Sequence, residues 1–185
     1  AISNIAYSNE NVEFDKVFIF YGAWNRKENS EGLTWFINNV YPYVNKFDLR
    51  FKVIGGGMPV EIINKLKSLK HIEYSGFVDN PYKFLTSSSA LLAPLFNGAG
   101  VKVKVIEALL TGTPVIGTVV ALEGLDLLRG RSDFLYKCTS AKDFINAIDN
   151  FKKKSTEERQ NFKSELNYPK NKAIDLIKKF RHAND

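Results

Sequence analysis

Lys102, Lys104 and Glu107 stand close together in the stretch FNGAGVKVKVIEALLTGTPVIGT (96–118). That stretch passes from a small-residue loop through an apolar helical pattern into a buried strand. Two lysines in a helix's first turn oppose the macrodipole, at ~0.5 kcal/mol each. A bound anion reverses the sign of that interaction. Before them, Asn97, Gly98, Ala99, Gly100 and Val101 form a loop whose small residues let backbone approach a ligand, and the helix start offers unpaired N–H groups. The combination suits a phosphate, although tight structural packing is an alternative for the loop alone. The loop is neither a dinucleotide fingerprint, since position 103 is Val, nor a Walker loop, since no Gly-Lys-Ser/Thr follows.

Glu107 follows Lys104 by three residues, on the same helix face and about 4.5 Å further along the axis. With a diphosphate at the helix start, it is placed for a ribose, whose two hydroxyls a carboxylate can accept. The competing reading is a Lys104–Glu107 surface ion pair worth a few tenths of a kcal/mol. Val103, Val105, Ile106, Ala108, Leu109 and Leu110 predict a largely buried helix with a narrow polar edge.

The elements that must position these groups alternate. Strands are predicted at 17–22, 50–57, 71–78, 90–96, 113–120 and 133–138, the central ones in unbroken apolar runs rather than at every second residue. Leu33, Phe36, Ile37 and Val40 lie on one helical face, as do Phe144, Ile145, Ile148 and Phe151. Pro59 marks a first helical position, and Asn80-Pro81 an N-cap and first turn for a short helix through Leu85. More helix is expected after 151, broken near Pro169. Such alternation predicts an α/β fold, a Rossmann-like doubly wound parallel sheet in a single domain spanning 1–185. Residues 1–15 would be lead-in, 16–140 the core and 141–185 C-terminal helices. Ligands of such sheets bind outside the carboxyl ends of the strands.

The chain has 185 residues, 44% hydrophobic and 25% charged, enough for one domain with a full core. It opens on Ala, as a processed or excised polypeptide would. A lone Cys138 excludes a disulfide framework and fits a reducing, cytoplasmic compartment. No apolar run approaches the ~20 residues that span a membrane, and no signal-peptide pattern is present. The net charge is +6, and residues 141–185 hold 11 Lys and Arg against 7 Asp and Glu. Their densest cluster, Lys152 to Lys154, reads as a solvated helix face or as a patch for peripheral association with the inner membrane surface. No nucleic-acid motif accompanies the charge. His71 and His182 are too few and too far apart for a metal site or a Ser-His-Asp arrangement. His71 and Cys138 read as structural, Trp24 as a packing residue or a lid, and Glu123 as a possible ligand contact.

The block APLFNGAGVKVKVIEALLTGTPVIGT, followed by ALEGL (121–125), resembles the donor-binding half of GT-B glycosyltransferases of the large retaining family four. FYG at the first strand, Asn29 before the first helix, VIGGG and GFVDN extend the resemblance over about 17–125. It implies the C-terminal half of a two-domain enzyme. That enzyme would transfer sugar from a nucleoside-diphosphate sugar to a glycan or lipid-linked acceptor bound by an N-terminal domain. It would do so with retention, without a metal or other cofactor, and inactively as this half alone. Glu107 matches the second glutamate of the family's paired-glutamate motif, which holds the ribose. Lys104 and Lys102, with the amides of Gly98 to Val101, would face the diphosphate and sugar. Phe77 and Val78 would line the base pocket, and Gly22 would let its loop pass the phosphates. Two positions depart from the pattern. The motif's first glutamate falls at Ala99, and the first loop's usual Arg and Lys fall at Ala23 and Glu28, with Arg26 and Lys27 nearby as substitutes. The variant resembles bacterial polysaccharide and lipopolysaccharide transferases. A nucleotide-sugar epimerase half and a non-catalytic Rossmann-like module are the alternatives.

Overall fold

The computed structural model describes residues 15–46, 48–125, 128 and 130–166. The proposed break at Pro169, His182 and all but the last residue of the 1–15 lead-in lie outside them. Six strands form one sheet: β1 (Lys16–Tyr21), β2 (Leu49–Ile54), β3 (Ile72–Gly76), β4 (Ala90–Ala93), β5 (Val115–Thr118) and β6 (Leu135–Cys138). Their spatial order is β3-β2-β1-β4-β5-β6, and every neighbouring pair is parallel. This is the Rossmann-like arrangement expected from the apolar strands.

The connecting helices are α1 (Lys27–Asn39), α2 (Tyr41–Val44), α3 (Val60–Lys67), α4 (Pro81–Ser87), α5 (Val103–Leu110), α6 (Ala141–Asp149) and α7 (Thr156–Leu166). Strand β1 shows why its apolar run is continuous. Phe18 and Phe20 enter one core cluster with α1, α2, α3 and α6, whereas Ile19 enters a second with α4, α5 and α7. Both faces of the sheet are covered at β1, so neither side chain parity of that strand can be polar. The helical face Leu33, Phe36, Ile37, Val40 is buried as its spacing predicts.

Several boundaries differ from expectation. The strands end earlier than their apolar runs because those runs continue into loops at the carboxyl edge; β2 stops before Gly55, which takes a φ of 117°. Pro59 is the N-cap of α3, one residue outside it. Helix α1 begins at Lys27, so Asn29 sits inside its first turn and not ahead of it. The helical run ends at Asn39, and Pro42 opens a separate short helix, since its ring cannot continue the preceding hydrogen-bond ladder. Val103 is 51% exposed, so α5 begins outside the core.

Helix α7 is tied down by polar contacts as well as by Phe162 and Leu166. Arg159 donates to the carbonyls of Thr86 at 3.0 Å and Ser88 at 2.7 Å, closing the end of α4. The lysine cluster is not uniformly solvated: Lys154 is 11% exposed, held between Asp133 and Glu158 at 3.4 and 3.3 Å. No described helix is long and apolar enough to cross a membrane.

Candidate functional site

Strand order changes direction between β1 and β4, and sheets of this kind bind ligands in the crevice at the carboxyl edge of such a switch point. Helix α1 follows β1 on one face of the sheet, and α5 follows β4 on the other. Their first turns meet over this edge. Lys104, the second residue of α5, donates from Nζ to Asn29 Oδ1 at 2.6 Å, and Asn29 Nδ2 donates to the Ala23 carbonyl at 2.8 Å. Asn29 is 8% exposed, so this chain of bonds is fixed from within α1. A Cβ on Gly22 would lie 3.0 Å from Asn29 Nδ2 and 3.3 Å from Lys104 Nζ. Glycine at the end of β1 therefore leaves room for the ammonium.

Among the described residues, Lys104 makes no ion pair with a carboxylate. Burial lowers its pKa to about 8; Glu28 acts in the opposite direction, and Arg26 and Lys102 push it down further. Its hydrogen bond goes to a neutral amide. Lys27, by contrast, faces outward and pairs with Glu31 at 3.5 Å.

Glu107 points elsewhere. Tyr82 donates to its Oε1 at 3.1 Å, and Tyr21 lies close enough to feel its charge. The Lys104–Glu107 ion pair is not formed, because Asn29 from α1 draws the lysine one way and Tyr82 holds the carboxylate the other. Burial, followed by the Glu107 charge and Tyr82, pushes the Tyr21 phenol up to about 12. Its hydroxyl thus stays protonated beside the carboxylate.

The loop between β4 and α5 depends on Gly98 and Gly100, at φ of 103° and 73°, conformations that a side chain resists. Lys102 is the N-cap of α5 in extended conformation and makes no side-chain cap to the helix. Instead its Nζ donates back to the carbonyls of Gly98, at 3.2 Å, and Gly100. It also meets Glu123 Oε2 at 3.5 Å. Lys102 therefore staples the loop, leaving the first amides of α5 uncapped by any side chain and open to an acceptor. A Cβ on Gly124 would lie 2.6 Å from a Val101 methyl, so the loops after β4 and β5 are in contact.

The structure thus gathers Gly22, Lys104 and the 97–102 loop at the crevice, with Glu107 on the next turn of α5. Asn97, Gly98, Ala99 and Gly100 are exposed there. Phe77 and Val78 stand further along the edge, beyond β3; Phe77 is 77% exposed, and Val78 is partly buried against the core. Sequence reasoning missed Tyr82 as the partner of Glu107, with Tyr21 beside it, and did not foresee the bond from Lys104 to Asn29. The available signal was position: Tyr21 closes β1 just before Gly22, and Tyr82 follows Asn80-Pro81 at the start of α4. Trp24 is a packing residue, 2% exposed and donating to the Ile54 carbonyl at 3.0 Å. Cys138 is buried, which pushes its thiol up to about 12. His71 opens β3 from a turn at a φ of 57°. Among the described residues, no three His, Cys, Asp or Glu side chains cluster as a metal site.

Comparison with known proteins bears on this crevice. The sequence model of a family described as Glycosyl transferases group 1 matches residues 15–153. An uncharacterized 44.6 kDa protein in the cps region of Klebsiella pneumoniae is 31% identical over 119 residues, covering 57% of this chain and 30% of its own. The crystal structure of WaaG, a glycosyltransferase involved in lipopolysaccharide biosynthesis, superposes with a TM-score of 0.64 at 13% identity, over 89% of this chain and 46% of that one. A TarM mutant from S. aureus, crystallised with UDP, fondaparinux and alpha-GlcNAc-glycerol, gives 0.65 at 16%, over 92% and 35%. At such identities the structural likeness concerns the fold. The chain spans about a third of its curated relative and less than half of either solved chain.

Proposed function

This chain belongs to the group 1 glycosyl transferases, and on that premise we propose that it is the donor-binding half of a GT-B enzyme. In this reading it holds a nucleoside-diphosphate sugar at the β1/β4 crevice and releases the diphosphate when the sugar passes to a glycan or lipid-linked acceptor. The observation that carries the reading is Lys104, a cation with a neutral partner and a lowered pKa at the point where the topology opens. A diphosphate would supply the missing counter-charge. As the glycosidic bond breaks, negative charge grows on the leaving oxygen, and fixed donors aimed there lower the barrier. Lys104 and the first amides of α5 are such donors, and Lys102 fixes the loop that presents those amides. No metal is required by this scheme, and the transfer proceeds with retention as in the family it resembles. Glu107, oriented by the Tyr82 hydroxyl, accepts the ribose hydroxyls, and Phe77 and Val78 flank the base.

The acceptor is assigned to a partner N-terminal domain, so this half binds donor without turnover. The location is cytoplasmic, with peripheral contact at the inner membrane surface through the basic tail, and the pathway is one of bacterial surface polysaccharide or lipopolysaccharide assembly. Titration with UDP, GDP and ADP, followed by NMR, tests the site. The expected shifts are confined to Gly98–Glu107 and Phe77–Val78, and Glu107→Ala should weaken binding by about tenfold through loss of charge-assisted bonds, with the fold intact. Unchanged affinity in Glu107→Ala would remove the ribose assignment. Absence of binding at millimolar nucleotide would favour a non-catalytic module.

A further inference from the structure

Ala99 leaves the 97–101 loop without a charged side chain of its own to meet a sugar. Yet the loop forms one wall of a cavity of about 890 Å³, and the opposite wall comes from the segment after β5 and from β6. Gly98 and Ala99 line it together with Val119, Leu122, Glu123 and Lys137. Glu123 is anchored there through Lys102, which also binds the loop carbonyls, while its side chain remains 50% exposed. The van der Waals contact between Gly124 and Val101 fixes the distance between the two walls.

We infer that Glu123 is the carboxylate that binds the donor sugar, supplying from the β5 loop the charged group that the 97–101 loop lacks. The inference rests on the donor-binding function proposed above. A pyranose suits this cavity chemically. Its hydroxyls need acceptors, and a carboxylate offers two oxygens to adjacent hydroxyls. Its C–H face needs apolar contact, which Val119 and Leu122 provide. A sugar carried on a diphosphate at the start of α5 emerges beside Gly98 and Ala99, where this cavity begins. Lys102 orients Glu123 without burying it, so the carboxylate retains bonding capacity toward a ligand.

Calorimetry with three nucleotide sugars (UDP-glucose, UDP-N-acetylglucosamine, GDP-mannose) and their parent UDP and GDP separates the possibilities. In the unaltered chain, at least one nucleotide sugar should bind more tightly than its parent diphosphate. Glu123→Gln should remove that advantage, a loss of about tenfold, and change the parent affinity less than about twofold. Lys102→Gln, which keeps the carboxylate but releases it and the loop carbonyls, should weaken parent and sugar together and leave part of the advantage of sugar over parent. Equal weakening of sugar and parent in Glu123→Gln would reduce Glu123 to a loop support and overturn the inference. So would an unaffected Glu123→Gln, or an unaltered chain that binds parent and sugar equally, in either case leaving the donor-site reading standing. Failure of every diphosphate to bind the unaltered chain would overturn both.

Discussion

Lys104→Met is expected to weaken binding of a nucleoside diphosphate by about 10- to 100-fold, the range of one charge-assisted contact worth ~1.5–3 kcal/mol. Binding of the matching nucleoside should change little, because the ammonium stands at the crevice and not beside Glu107. Equal losses for both ligands would count against a phosphate role. The pH profile adds a signature. Lys104 in the free protein titrates at about 8, and a diphosphate favours its charged form. Affinity should therefore be level below that pH and fall above it by up to tenfold per unit, until the raised pKa of the complex is reached. Methionine should abolish this dependence.

The same substitution should stabilise the unliganded fold. A lysine that titrates at 10.5 when unfolded and at about 8 when folded binds more protons in the unfolded chain between those values. Stability accordingly rises with pH across that window, and below it the burial penalty is fully present. Lys104→Met lifts the penalty. Its Tm should exceed that of the unaltered chain at about pH 7, and the gap should narrow towards about pH 10. A binding residue that destabilises the empty protein is the usual cost of a preorganised site.

Gly32→Ala should have the largest effect on folding. In an unconstrained helix this change stabilises by ~0.5–1 kcal/mol. In α1 the sign reverses, since a Cβ at Gly32 would lie 2.1 Å from the Pro94 carbonyl oxygen, just beyond β4. That neighbour is backbone and cannot rotate away, so α1 must retreat from the sheet. The expected loss is ~2–3 kcal/mol, a fall in Tm of about 5–10 °C for a domain of this size. Asn29 lies one turn earlier in α1, so the retreat also withdraws the amide from Lys104. Diphosphate affinity should fall with it, as calorimetry on the folded fraction would show. A raised Tm would contradict the close approach of α1 and Pro94.

How much of this was legible in the sequence depends on the range of each interaction. The parallel sheet was legible because burial on both faces writes itself into VFIFY and ALLA as unbroken apolar runs. The buried face of α1 was legible because its period is local. The site was legible as a region: glycines, lysines and a glutamate between β4 and β5 marked the carboxyl edge. Its wiring was not. Helical spacing makes Lys104 and Glu107 natural partners, yet Lys104 bonds Asn29 across 75 positions and Glu107 bonds Tyr82 across 25. Tertiary geometry, set by where α1 and α4 meet α5, overrides the few tenths of a kcal/mol of a surface ion pair. Lys102 illustrates the same point, since its attachment to Gly98 and Gly100 depends on a loop conformation that no periodicity reports.

The most direct test of the central claim is the 15N signal of the Lys104 side-chain nitrogen, assigned by comparison with Lys104→Met and followed over pH with and without UDP. The account predicts titration at about 8 in the free protein and a clear rise when UDP saturates the site. A titration that stays where it was, with UDP demonstrably bound, would place the diphosphate somewhere other than the β1/β4 crevice.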